Sequence, residues 1–206
     1  MKKKIKIKHF IFDLDGVLFD TKGNMQKAWS FVNYKYSLNV SFSKYFKNIG
    51  RPFKEILKII NIKNNLKEIE KDFFYYSKVN LPKVKMYSNV QPTLEKLKNK
   101  NIKMSIVTSK KFSNAKILLN KTKIHFNSIN CPTNSKPGKP NPYLINRAIR
   151  LSKISKKLSC YVGDMDVDFK AAQNSKIDYI HASYGYGKKM KYKYVIKNFK
   201  NLLKFI

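Results

Sequence analysis

The chain has 206 residues, 43% of them hydrophobic, and its 44 lysines and arginines outnumber 12 aspartates and glutamates to give a formal charge of +32. That is enough apolar material for a real core, which excludes disorder as the default, and no run of eighteen apolar residues offers a membrane-spanning helix. The charge invites a nucleic-acid or anionic-membrane partner, but only Arg51, Arg147 and Arg150 are arginines, and the lysines run the whole length of the chain.

Surfaces that read bases or grip phosphates lean on arginine's bidentate fork. No specific nucleic-acid partner and no membrane is therefore expected. Lys, Asn, Ile and Tyr are abundant together, so the charge is read as A/T-rich coding bias on solvated faces. Attraction of small anionic substrates is its modest consequence.

In chain order, residues 5–12 read as a strand. Phe10, Ile11 and Phe12 form a continuous apolar run, as in a strand buried on both faces. Residues 24–34 read as a helix, with Met25, Ala28, Trp29 and Val32 recurring at spacings of three and four. Residues 37–54 are irregular and aromatic, and contain Ile49-Gly50-Arg51-Pro52. Helices are expected over 55–60 and 66–79, the second carrying Ile69, Phe73 and Tyr76. No strong strand falls between 20 and 85, so this block reads as a helical insertion. The β-α alternation resumes at about 88: helix 92–100 with Leu94 and Leu97 inward, strand 103–107, helix 113–120 with Ser113 as N-cap, and a weaker strand over 124–129. A loop over 132–140 follows. Asn141-Pro142 then reads as an N-cap and first turn, with Leu144, Ala148 and Leu151 on one helical face. Strand 160–162, a helix through Phe169, Ala171 and Ala172, strand 177–181, a Tyr184–Gly187 turn, a last strand at 194–196 and a closing helix at 199–206 complete the chain. The fold class is α/β: a doubly wound, mainly parallel, Rossmann-like sheet with an inserted α-helical cap.

Polar groups stand where four of these elements meet. Asp13 and Asp15 follow the first strand, two apart and so on one side of an extended segment, with Gly16 letting the chain turn behind them. Two carboxylates this close need a cation between them or a shared proton. Magnesium, which binds through carboxylates and substrate phosphate, meets the first need. Thr108 and Ser109, after the second core strand, are good partners for phosphate oxygens. Lys139 sits in Gly138-Lys139-Pro140-Asn141-Pro142, where two prolines stiffen the loop that holds its ammonium. Asp164 and Asp168 share one face if a helix begins near Asp164. In a parallel sheet such strand ends converge on one edge.

FDLDGVLFD, IVTSK, GKPNP and YVGDMDVD, in this order, resemble the four motifs of the haloacid dehalogenase superfamily, and the match covers nearly the whole chain. The helical block resembles the small cap of its phosphoglycolate phosphatase-like branch, as does the SYGYG segment at 183–187. The resemblance implies a core of residues 1–20 and 88–206 with a cap of residues 21–87. It also implies Mg²⁺-dependent hydrolysis of a small phosphate monoester. Asp13 would be the nucleophile and Asp15 the general acid and base, with its main-chain carbonyl on the metal. Thr108 would bind the transferring phosphoryl group together with Gly16 and Ser109, and Lys139 would neutralise charge. The implied metal set is Asp13, Asp15, Asp164 and Asp168, Asp168 serving the metal shell or Lys139. Asp20 would be structural, at the cap hinge. The superfamily's dehalogenases lack a carboxylate at the position of Asp15, so the likeness is to its phosphatases and phosphomutases.

Arg51, in the irregular loop, is the candidate contact for a second anionic group such as a carboxylate. A phosphoglycolate-like metabolite is the expected substrate. A phosphosugar, a nucleotide or a mutase reaction stands as the alternative, and a basic binding protein on a phosphatase scaffold as the non-enzyme one. The usual Ala-Gly pair is replaced near Asn174-Ser175-Lys176, away from the chemistry. Phe112-Ser113-Asn114 stands where an arginine is common. Cys131 and Cys160 have neither metal-ligand nor disulfide spacing, and the Met1-Lys2-Lys3-Lys4 start leads into no signal-peptide core. A reducing cytoplasm and a monomer or homodimer are expected.

Overall fold

The structure, a computed structural model, describes residues 6–133, 135–187 and 191–206. The N-terminal lysine run, Ile5 of the expected first strand and Asn134 of the 132–140 loop lie outside the described residues.

Strands β1 (His9–Phe12), β2 (Phe19–Asp20), β3 (Lys85–Met86), β4 (Lys103–Val107), β5 (Ser128–Asn130), β6 (Ser159–Gly163), β7 (Asp178–Ala182) and β8 (Val195–Ile196) form two sheets. The larger has the order β5-β4-β1-β6-β7-β8, and every neighbouring pair is parallel. β1 thus lies inside the sheet, pairing Phe12 with Ile106 on one side and Val162 on the other. Helices are α1 (Lys22–Lys35), α2 (Phe42–Phe46), α3 (Phe53–Ile59), α4 (Leu66–Asn80), α5 (Val90–Asn99), α6 (Phe112–Leu119), α7 (Tyr143–Ser152) and α8 (Asp166–Asn174).

Alternation along β1 divides the core. Phe10 and Phe12 pack with Leu94 of α5, Leu118 of α6 and Phe199 on one face of the sheet. Ile11 faces the other way, against Leu144 and Ala148 of α7 and Ala171 of α8. Both faces are covered, as a parallel sheet requires.

Helices α1–α4 have an aromatic core of their own, with Trp29 stacked on Tyr45 (ring centroids 4.4 Å apart) and Phe53 on Phe73 (4.5 Å). Met25, Ala28, Trp29 and Val32 are all buried there, as their spacing predicts. The insert joins the sheet through a two-stranded antiparallel ribbon in which Phe19 pairs with Met86 and Asp20 with Lys85. No helix among the described residues is long and apolar enough to cross a membrane.

Several local expectations are corrected. α2 interrupts the stretch read as irregular; Ser41 caps it by accepting the Lys44 N–H. α6 begins one residue early, so Ser113 lies inside the helix instead of capping it. α7 begins at Tyr143; Asn141 still accepts the Tyr143 N–H (2.9 Å), from one residue farther out than expected. Leu151 is exposed, because α7 turns Ile145, Ile149 and Ser152 to the sheet in its place. The strand expected over 124–129 is only Ser128–Asn130, and the closing helix is a 3₁₀ helix, Phe199–Phe205.

Candidate active site

Asp13 leaves the end of β1 with its N–H bonded to the Val162 carbonyl (2.9 Å), so the sheet's own ladder fixes the backbone. Its carboxylate is buried, 3.0 Å from Lys139 Nζ. The ammonium also donates to Asp168 Oδ1 at 2.6 Å, and it is wholly enclosed. Burial pushes the Asp13 carboxyl up to about 7, against the pull of Lys139. Burial likewise works against the Lys139 charge, but Asp13 and Asp168 outweigh it and hold its pKa above the usual value.

Asp164 and Asp168 meet by a different route from the one their spacing suggests. α8 starts at Asp166, after an extended Met165, so the two do not share a helical face. Asp168 folds back from the first turn, and its Oδ2 accepts the N–H groups of Asp164 (3.1 Å) and Met165 (2.9 Å). With Oδ1 taking Lys139 and the Tyr161 hydroxyl (3.2 Å), both of its oxygens have partners.

Carboxylate oxygens of Asp13, Asp164 and Asp168 lie within 4.8 Å of one another, all three residues buried. The Lys139 ammonium pairs with two of these three enclosed carboxylates, Asp13 and Asp168. Such an excess of negative charge calls for a cation or for protons. Burial, then Asp168 and Asp13, push the Asp164 carboxyl well up. Asp164 Oδ2 accepts the Tyr186 N–H at 2.6 Å, while Oδ1 is buried without a partner. Hard oxygen donors with one orphaned oxygen suit a divalent cation such as magnesium. Gly16 is required here on two counts: its φ is +80°, and a Cβ would overlap the Asp164 carboxylate.

The Asp15 carboxylate stands apart from this cluster. Its Oδ1 accepts the Thr21 hydroxyl at 2.6 Å and lies 3.1 Å from Lys110 Nζ, a largely buried cation. Thr108 is buried at the end of β4, its N–H on the Asn130 carbonyl (3.1 Å) and its Oγ1 accepting the Lys110 N–H (3.3 Å). The Ser109 hydroxyl donates to the Gly50 carbonyl of the insert, and the residue lines the same cavity as Asp13 and Thr108. Asp20 is exposed at the ribbon, with Oδ1 accepting the Lys22 N–H at 3.3 Å.

A sequence profile of the family described as haloacid dehalogenase-like hydrolase matches residues 10–182, most of the chain. The chain belongs to this family. A Clostridium perfringens protein provisionally named pyrophosphatase PpaX is 30% identical over 177 residues, covering 82% of this chain and 80% of that protein. Solved structures of similar fold include a provisionally named phosphoglycolate phosphatase from Lactobacillus plantarum (TM-score 0.89, 15% identity, 98% of this chain and 100% of that one). CbbY from Rhodobacter sphaeroides, in complex with phosphate, is another (TM-score 0.84, 14% identity, 97% and 99%). The family is one of hydrolases, which sets this chain among enzymes rather than binding modules.

A cavity of about 60 Å³ lies between the sheet edge and the helical insert of this family member. Asp13, Asp15, Thr108, Ser109, Lys110 and Lys139 line its floor, and Met25, Tyr45, Phe53, Phe73, Phe74 and Ser77 its ceiling. Arg51 reaches the cavity as expected, but it is paired with Glu55 at 2.9 Å. Lys110, Tyr45 and Tyr186 were not singled out from the sequence. Lys110 is one lysine in a lysine-rich chain, and its place directly after Thr108-Ser109 was the available signal.

Proposed function

We propose that this chain is a Mg²⁺-dependent phosphatase that hydrolyses a small phosphate monoester through an aspartyl-phosphate. Residues 21–87 act as the cap over a core of residues 1–20 and 88–206. The observation that carries the reading is the Asp13–Lys139–Asp164 grouping: a buried carboxylate at a strand end, an enclosed ammonium 3.0 Å away and a neighbouring carboxylate with an orphaned oxygen.

Asp13 attacks phosphorus in line; the bond from phosphorus to the ester oxygen breaks, and Asp15 gives its proton to that oxygen. Asp15 then takes a proton from the water that attacks the phosphoryl group, and Asp13 is released as carboxylate. Lys139 and the Thr108 hydroxyl steady charge on the phosphoryl oxygens from fixed positions, so little reorganisation accompanies the reaction. Gly16 and the backbone beside Ser109 leave room for those oxygens. Asp13, Asp164 and the Asp15 main-chain carbonyl would hold Mg²⁺, which lowers the repulsion between an anionic nucleophile and an anionic ester. Asp168, with both oxygens satisfied, serves Lys139 rather than the metal.

Lys110, Lys139 and Arg51 in the cavity lining favour a small phosphoester that carries a second anionic group. A two-carbon phosphoester carrying a carboxylate is the leading candidate, with Arg51 exchanging Glu55 for the substrate anion. Pyrophosphate is the second reading, favoured by Lys110 and Arg51 in the cavity wall and by the name of the Clostridium relative. Two buried, unpaired cysteines suit a reducing cytoplasm.

The test is phosphate release from a panel of phosphoglycolate, sugar phosphates, nucleotides and pyrophosphate, with and without Mg²⁺, for the wild type and Asp13→Asn. Metal-dependent release that vanishes in the variant supports the mechanism. An equally active variant sinks it.

A further inference from the structure

Tyr186 joins two regions that the proposed chemistry treats separately. Its main-chain N–H donates to Asp164 Oδ2 at 2.6 Å. Its phenol oxygen accepts the N–H groups of Thr21 (2.6 Å) and Lys22 (3.1 Å) and lies 3.0 Å from Asp20 Oδ1, to which it can donate. Those amides open α1, the first helix of the insert. Helix N-termini carry unpaired N–H groups; Thr21 at the N-cap offers them no side-chain bond, and Asp20 Oδ1 reaches the Lys22 N–H at 3.3 Å. Tyr186, far along the sequence, supplies the shorter bonds, to both amides. Its ring also rests 5.3 Å from that of Phe46 in α2. On the other side, Gly185 presses against the carboxylate loop so closely that a Cβ would overlap the Asp164 side chain and the Gly16 carbonyl. Thr21, held through its N–H by Tyr186, donates its hydroxyl to Asp15 Oδ1 at 2.6 Å.

We infer that Tyr186 is a positioning residue that couples the seating of α1, and so closure of the cap, to the orientation of Asp164 as a cation ligand. The inference rests on the reading of Asp164 and of residues 21–87 given above. Moving α1 away from the sheet breaks two hydrogen bonds to the phenol or drags Tyr186, and with it the donor that orients Asp164. Coupling of this kind is reciprocal: a divalent cation on Asp164 secures the start of α1, and a secured α1 tightens the cation site. Thr21 and Asp15 are drawn into the same linkage, so the proposed general acid is set in place along with the metal ligand.

The test uses Tyr186→Phe, which keeps the ring and the main-chain donor and removes only the phenol oxygen. Mg²⁺ affinity is measured by calorimetry, and exchange of the Thr21 and Lys22 amides by NMR with and without Mg²⁺. In the wild type, Mg²⁺ is expected to slow exchange at both amides about tenfold. In Tyr186→Phe that effect disappears and Mg²⁺ binds several-fold more weakly, although the lost atom touches no metal ligand. Unchanged Mg²⁺ affinity in the variant, or amide exchange in the wild type indifferent to Mg²⁺, overturns the coupling. Asp164→Ala separates this from failure of the underlying reading. If Mg²⁺ binds that variant as tightly as the wild type, the assignment of the metal site is wrong. If binding needs Asp164 but ignores the phenol, only the coupling is wrong. Thr21→Val gives a second view should Tyr186→Phe fold poorly: it retains the amide and the phenol, so the response of amide exchange to Mg²⁺ persists.

Discussion

The Lys139 ammonium lies 2.6 Å from Asp168 Oδ1, and neither side chain is open to solvent. Asp168 therefore does structural work on a group at the centre of the site. Removing one partner of a buried ion pair typically costs about 3–5 kcal/mol. Asp168→Ala also strands the amides of Asp164 and Met165. Urea denaturation is expected to show a loss in that range, with Asp168→Asn losing less because it keeps an acceptor for those amides. A loss below about 1 kcal/mol for the alanine variant would show that Lys139 needs no such support.

Cation binding should stabilise the protein more at pH 8 than at pH 5. Burial raises the Asp13 carboxyl to about 7, so in the absence of metal the folded state holds a proton that the unfolded state releases near pH 4. Stability from that proton is present at low pH and lost as the pH rises through about 7. A bound cation replaces the proton, and its contribution at a hundredfold excess over Kd is about 2.7 kcal/mol. Melting temperatures with Mg²⁺ and with a chelator, at both pH values, check this; equal shifts at the two would refute it.

His9 gives a pH dependence of the opposite sign, far from the carboxylates. It is enclosed between Ser105 (2.9 Å) and Ser159 (3.3 Å), and burial lowers its pKa from 6.5 to about 4. The unfolded chain binds the extra proton between those values. The stabilisation is thus complete above pH 6.5 and lost as the pH falls toward 4, by about 3 kcal/mol. Denaturant midpoints from pH 7 to 4.5 should fall less steeply in His9→Gln. Parallel curves for the two proteins would remove His9 from the account.

Lys110 faces the Asp15 carboxylate at 3.1 Å in the cavity floor. Lys110→Met keeps the length of the side chain and removes its charge. Loss of one fixed charge in a water-poor site commonly costs 10²–10³ in rate. A drop of about 10² in kcat/KM is expected with near-native folding by circular dichroism. Wild-type turnover in this variant would reduce Lys110 to a packing residue.

Much of this architecture was legible because apolar runs and alternations are dictated by burial. β1 and β4 sit where their apolar runs place them, and Met25, Ala28, Trp29 and Val32 face inward as their spacing requires. The residues of the four motifs also gather at one sheet edge, since a parallel sheet leaves them no other place. What escaped was set by contacts distant in sequence. Asp164 and Asp168 meet through backbone amides and not by helical spacing. The bond from the Ser109 hydroxyl to the Gly50 carbonyl of the insert has no signal in local spacing. Tyr186 resembled a turn residue until the start of α1 was seen beside it, and Lys110 was masked by the abundance of its own kind.

The paired strands β2 and β3 make the way into the helical insert and the way out of it neighbours, with Asp20 beside Lys85. A segment whose two ends already touch can be exchanged for another of different length without disturbing the chain on either side. The parallel sheet keeps its order and its catalytic edge whatever is spliced in between. On the proposed division of labour, selectivity and chemistry would diverge on separate schedules: the region bounded by this ribbon is free to change while the strand ends beneath it stay as they are.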